Sequence, residues 1–243
     1  MTENKITSLK KAGQVAVAAH LAVSKSINPG VNLLELEEIA ATTINQHGLK
    51  PAFKGYKGYP AVTCLSVNEE IVHGIPVDRL LEDGDLISVD LGVSCNGWIV
   101  DTARSYVVGK ADPKLNKLVE TAQAALDKAV NVAKIGYKTG DIGAAVQKEV
   151  EKNGFAVVEE LTGHGVGQTL QESPTIYNYG RPGTGKALIE GMVLAIEPII
   201  TLEKTEIAVA EDGWTVVSQN GTIGSHAEDT ILVTADEPLI LTR

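Results

Sequence analysis

The chain has 243 residues and 44% hydrophobic content, enough to bury a substantial core without disulfide staples. Its formal charge of −10 and pI near 5.0 set most of the surface against a phosphate backbone, so nucleic acid is not an expected partner. Cys64 and Cys95 are its only cysteines, a count that suits free thiols in a reducing compartment.

The opening MTENKITSLKKAGQVAVAAHLAVSKS places two lysines before a mildly apolar run. Glu3 spoils a basic leader and Gln14 and His20 interrupt the run, so the segment reads as an amphipathic helix and not as a signal peptide. No stretch reaches the roughly 20 apolar residues that a membrane span needs. The expectation is a cytoplasmic protein with no membrane partner.

Next comes INPGVNLLELEEIAATTINQHG, starting at Ile27, and far downstream AKIGYKTGDIGAAVQKEVEKNG, starting at Ala133. Aligned without a gap, Gly30 meets Gly136, Glu35 meets Asp141 and Gly48 meets Gly154, with apolar positions at helical spacing in both. Upstream, VAVAAHLA lies against ETAQAALD at the same offset. Each half therefore predicts a helix, a glycine turn, a second helix ending at glycine, and strands. The strand-like runs are AVTCLSV, DLISVDLGV, WIVDTARSYVV, GMVLAIEPII, WTVVSQ and DTILVT. The fold class is α+β: a single domain of two pseudo-symmetric halves, about 1–110 and 111–243, with a curved sheet and helices on its outer face.

DLISVDLGVSCNGWIVDTARSYVVG reads as a β-hairpin turning at SCNG. An even-numbered loop puts Asp90 and Asp101 on one face of that hairpin, as opposite or diagonal neighbours. Two like charges sharing a site require a shared proton, a basic side chain or a metal ion. Glu197 interrupts MVLAIEPII and Glu228 interrupts SHAEDTILVT, both expected inside buried strands where an unpaired charge is costly. Each acid alone reads more readily as an edge-strand charge or half of a surface ion pair, and it is the set of five groups that points elsewhere. With His164, between two glycines in TGHGVG, they form a set of four carboxylates and one imidazole, a charge that two divalent cations balance. Such oxygen-rich ligation with one nitrogen suits Mn, Fe, Co or Zn without selecting among them. GHGVG lacks the spacing of a phosphate-binding glycine loop, and no G-K-[ST] sequence occurs.

The motifs VDLG, VDTARSY, TGHGVG, IEPII and HAEDT, in this order, resemble the ligand motifs of type I methionine aminopeptidases, members of the pita-bread metallopeptidases. YPAVTCLSVNEEIVHGIP is similar to the family's first-half motif, which ends in a catalytic histidine, here His73. The resemblance runs through essentially the whole chain. It implies that Asp90 holds one metal, Asp101 and Glu228 bridge a pair, and His164 with Glu197 completes the second. It further implies that Glu197 shuttles protons, that His73 assists the leaving amine, and that Tyr56, Tyr59, Cys64, Leu170 and Trp214 line the methionine pocket. His20, His47 and His226 have no equal case as catalytic groups.

One segment departs from the family pattern. Where an aromatic and a second histidine are usual, as in F-H-x-x-P, this chain has Leu170 and Gln171 in LQESP. Gln171 donates a hydrogen bond but cannot carry charge, so a slower or differently selective enzyme is expected. Lys57, near the expected entrance, is a further candidate for selectivity. The implied substrate is a peptide or nascent-protein N-terminus, met by a monomer with at most transient ribosome association. Two other readings remain at this point: a prolidase-like or proline-directed aminopeptidase, and a non-catalytic binding protein on the same fold.

Overall fold

The computed structural model describes residues 3–243. Four helices carry the duplicated pattern: α1 Glu3–Ser24, α2 Leu33–Gln46, α3 Pro113–Val132 and α4 Thr139–Lys152. The aligned glycines explain the match between the two pairs. Gly30 and Gly136, in the turns between paired helices, have φ of 89° and 94°, and Gly48 and Gly154, just past the second helices, have 69° and 80°. This left-handed backbone suits glycine and ends a helix cleanly. The starts are capped locally, with the Asn32 side chain accepting from the Leu34 N–H and the Asp141 carboxylate accepting from the Lys138 N–H.

The strands that matter to the site are β1 Thr63–Val67, β2 Leu86–Cys95, β3 Trp98–Val107, β4 Thr162–Gly165, β5 Glu172–Tyr177, β6 Val193–Ile196, β7 Ile199–Thr201, β8 Gly224–His226 and β9 Asp229–Leu232. In the first half β2 is central, pairing with β3 along its whole length and with β1 on its other edge. The second half has a five-stranded antiparallel sheet that includes β9, β6, β4 and β5 in that order. The predicted hairpin is present. Asn96 and Gly97 turn it with φ of 50° and 79°, the positive pair that matches strand twist.

Side-chain alternation sorts the hairpin faces. Ile87, Val89, Leu91 and Val93 pack in one apolar cluster with Leu9, Ala16, Val23 and Leu36 of α1 and α2. Asp90, offset by one residue, projects from the other face. A second cluster joins Leu118, Leu126, Val146 and Val150 of α3 and α4 to Leu194, Ile196 and Ile231. Helices thus cover the apolar side of each half and leave the polar side for the site.

The halves are stitched where the acidic motifs meet. Glu228 and Ala103 form an isolated antiparallel bridge, the Glu228 N–H donating to Ala103 O at 2.9 Å. Beside it the Asp101 N–H donates to Thr230 Oγ1, whose hydroxyl donates back to Asp101 O at 2.7 Å.

The expected strand interiors at Glu197 and Glu228 need correction. GMVLAIEPII breaks into β6 and β7, and SHAEDTILVT into β8 and β9, with one glutamate in each break. β6 and β9 belong to the five-stranded sheet, whereas β7 and β8 pair in another. Ile196 faces Asp229 on one side of the break and Ile199 faces His226 on the other. Pro198, without an N–H, cannot continue the ladder, and this switch of sheet frees both carboxylates from strand alternation.

Candidate metal centre and substrate cavity

The hairpin register pairs Asp90 with Ala103 and Gly92 with Asp101, so the two aspartates are diagonal neighbours on one face. His164 arrives from β4, at a register shift between His164 and Gly165. Its flanking glycines answer to packing: a Cβ on Gly163 would lie 2.5 Å from Ala195 O, and one on Gly165 would overlap Ser173 O. The bare backbone lets β4 fit between its neighbours while the imidazole turns inward.

Asp101, His164 and Glu228 each present a ligand-type atom within 4.8 Å of the others. His164 Nε2 is 3.8 Å from Asp101 Oδ2 and 3.4 Å from Glu197 Oε1. Asp90 joins through its diagonal position beside Asp101. His164 Nδ1 lies 2.9 Å from Gly165 O, which fixes the tautomer with the proton on Nδ1 and leaves the Nε2 lone pair facing the acids.

Burial makes this cluster electrically demanding. Asp90, Asp101 and Glu228 are 8%, 6% and 1% exposed. Burial and mutual repulsion push the Asp90, Glu197 and Glu228 carboxyls well up, and burial raises Asp101 to about 7. Asp90 Oδ1, Asp101 Oδ1 and Glu228 Oε1 are buried without hydrogen-bond partners. Among the described residues no lysine or arginine forms an ion pair with any of the four acids. Arg104 is the nearest claimant, but its guanidinium bonds Glu228 through the backbone oxygen and spends its charge on Asp229 Oδ1 at 2.7 Å. Orphaned carboxylate oxygens around an available imidazole nitrogen are the donor set that divalent cations fit.

A cavity of about 310 Å³ opens onto these groups. One wall is an apolar cluster of Phe53, Tyr59, Ala61, Cys64 and Leu170, with Tyr56 and Trp214 packed against it. Trp214 meets Tyr59 edge-on at 5.1 Å between ring centroids, and the Tyr59 hydroxyl lies 2.9 Å from Thr63 O and 3.1 Å from Gly74 O. This donor anchor holds the aromatic wall rigid. The pocket residues singled out in the sequence, Tyr56, Tyr59, Cys64, Leu170 and Trp214, are therefore brought together, and Phe53 adds to them.

His73 lines the same cavity at φ 60°, a left-handed backbone uncommon outside glycine. Burial and the nearby His164 lower its pKa, so a neutral ring is favoured. Gln171 is exposed at the cavity edge, and Lys57 lies there with its ammonium 5.1 Å from the Tyr56 ring centroid. His226, set aside by the sequence reading, lies in the cavity 3.4 Å from Glu197. The available signal was its spacing: two residues before Glu228 in an extended segment.

The model of metallopeptidase family M24 matches residues 7–235. Methionine aminopeptidase 1 of Bacillus subtilis is 42% identical over 242 residues, covering 100% of this chain and 98% of the relative. The crystal structure of methionine aminopeptidase from Thermotoga maritima superposes with a TM-score of 0.98 at 42% identity, covering 100% and 98% of the two chains. Prolidase from Pyrococcus furiosus is more distant, with a TM-score of 0.80 at 26% identity, and this chain spans 64% of it. With a matching model over nearly its full length and full-length relatives, the chain belongs to metallopeptidase family M24, among its methionine aminopeptidases.

Proposed function

We propose that the protein removes N-terminal methionine from peptides and nascent proteins. The observation that carries this reading is the meeting, in one cavity, of an acidic cluster lacking cationic partners with an apolar, aromatic wall. Asp90, Asp101, His164, Glu197 and Glu228 would hold two divalent ions of the Co, Mn, Fe or Zn type. Such ions supply hydroxide from water near neutral pH and polarise the scissile carbonyl.

The chain's own residues do the rest. Tyr56, Tyr59, Cys64, Leu170 and Trp214 bury the methionine side chain, which sets the scissile peptide over the carboxylates. Glu197 takes a proton from the attacking water and passes it to the leaving nitrogen as the C–N bond breaks. His73 hydrogen-bonds the amide beside that bond and steadies the departing amine. Gln171 donates its amide N–H to the substrate carbonyl oxygen as charge develops there, a weaker partner than an imidazolium. Turnover and selectivity are altered accordingly. The two halves act as one catalytic domain, a monomer in the cytoplasm whose ribosome contacts are transient.

The test pairs metal analysis with cleavage. The metal-loaded protein is expected to bind two divalent ions and to release methionine from Met-Ala-Ser while leaving Ala-Pro-Ser intact. Failure to take up a divalent ion at saturation, or preferential cutting of Ala-Pro-Ser, overturns the proposal.

A further inference from the structure

Glu197 stands between two imidazoles. His164 Nε2 is 3.4 Å from Glu197 Oε1, and His226 Nε2 is 3.4 Å from Glu197 Oε2 and 3.9 Å from Glu228 Oε2. His226 is 2% exposed, and its Nε2 is buried without a hydrogen-bond partner. Its backbone is clamped from both sides: the His226 N–H donates to Ser105 Oγ, and that hydroxyl lies 2.9 Å from His226 O. Pairing with Ile199 fixes the strand on the other edge. The backbone is therefore fixed, and the buried ring lies beside the acids.

Of the two imidazoles that face Glu197, one has its polarity set by a backbone contact. His164 has its proton on Nδ1, toward Gly165 O, and turns a lone pair toward Oε1. A second lone pair on the Oε2 side would repel the carboxylate, whereas an Nε2–H there attracts it. A carboxylate that ligates through one oxygen is commonly oriented by a hydrogen bond to the other.

We propose that His226 is a positioning residue whose Nε2–H fixes Glu197 through Oε2 and so sets the affinity of the centre for divalent ions. This inference rests on the metal-centre reading above. It assigns work to a group that the sequence reading had set aside, at a site where Gln171 leaves one imidazole fewer than the family pattern.

The test titrates Co(II) alone into the metal-stripped full chain, with affinity read by calorimetry and ligand geometry by visible absorption. His226→Leu is expected to weaken Co(II) binding by about 10- to 100-fold, while His226→Gln, which keeps an N–H donor, stays within about threefold and keeps the parent spectrum. His226→Met replaces the leucine variant if that one does not fold. A non-donor variant that binds Co(II) as tightly as the parent overturns the proposal. So does a glutamine variant that loses affinity with a changed spectrum, because His226 is then a ligand. Asp101→Asn separates the two levels: its normal Co(II) uptake would sink the metal-centre reading, and its loss beside an unaffected His226→Leu would sink only this one.

Discussion

Replacing Asp101 by asparagine is expected to stabilise the metal-free protein at neutral pH. Asp101 is 6% exposed with Oδ1 unpartnered, and burial raises its carboxyl from 3.8 to about 7, against hydrogen bonds with Asp90 and Thr102 that pull it down. A carboxyl whose folded pKa exceeds its unfolded value favours the folded state fully below the unfolded value. That contribution is lost as pH rises through the folded value, here from about 4 to about 7. A rise of about three pKa units is worth about 4 kcal/mol at roughly 1.36 kcal/mol per unit, and sharing among the coupled acids makes this a ceiling. Asparagine has nearly the same shape and cannot ionise.

In urea unfolding with a chelator present, variant and parent should be near parity at about pH 4, with the variant gaining up to about 4 kcal/mol by about pH 8. Adding a divalent ion should narrow that gap, since the parent gains about 2.7 kcal/mol at a hundredfold excess over Kd, and about 4.1 kcal/mol at a thousandfold excess closes it, while the variant gains neither. An asparagine variant no more stable than the parent at the higher pH, both metal-free, would refute the electrostatic reasoning.

Gln171→His, compared with the parent under matched metal loading, is expected to raise turnover of Met-Ala and Met-Gly peptides by up to about a hundredfold, by restoring a chargeable donor. Unchanged rates would mean that the carbonyl is held by other groups. Gly13→Ala tests the docking of α1: the new Cβ would overlap the Leu241 carbonyl oxygen and lie 2.7 Å from its carbon, so backbone must move. A loss of about 3 kcal/mol is expected, lowering Tm by roughly 6–12 °C in a chain of this size. A melting temperature within a degree of the parent would show that the C-terminal segment yields freely.

Local chemistry made much of the fold legible. The helix pairs are visible because apolar spacing, capping groups and the glycines after each helix act within a few residues. The same holds for the β2–β3 hairpin, whose Asn96–Gly97 turn and alternation put Asp90 and Asp101 on a common face. Glu197 and Glu228 were recognisable as misplaced charges, but not as junctions between sheets. Pro198 marked that break, yet alternation cannot say which sheet a chain enters next.

The sequence by itself determined the duplicated helices, the β2–β3 hairpin, the shared face of its two aspartates and the residue types of an acidic, metal-ready set. Tertiary structure alone decided that β4, the β6–β7 crossover and the β8–β9 crossover converge on the hairpin, and that Arg104 spends its charge on Asp229 and leaves the acids unneutralised. It also decided the place of His226, whose meaning depends on a carboxylate far away in the chain. Periodicity and capping report forces that act between near neighbours. The site is made by contacts between distant segments, which only sheet pairing and core packing bring within reach.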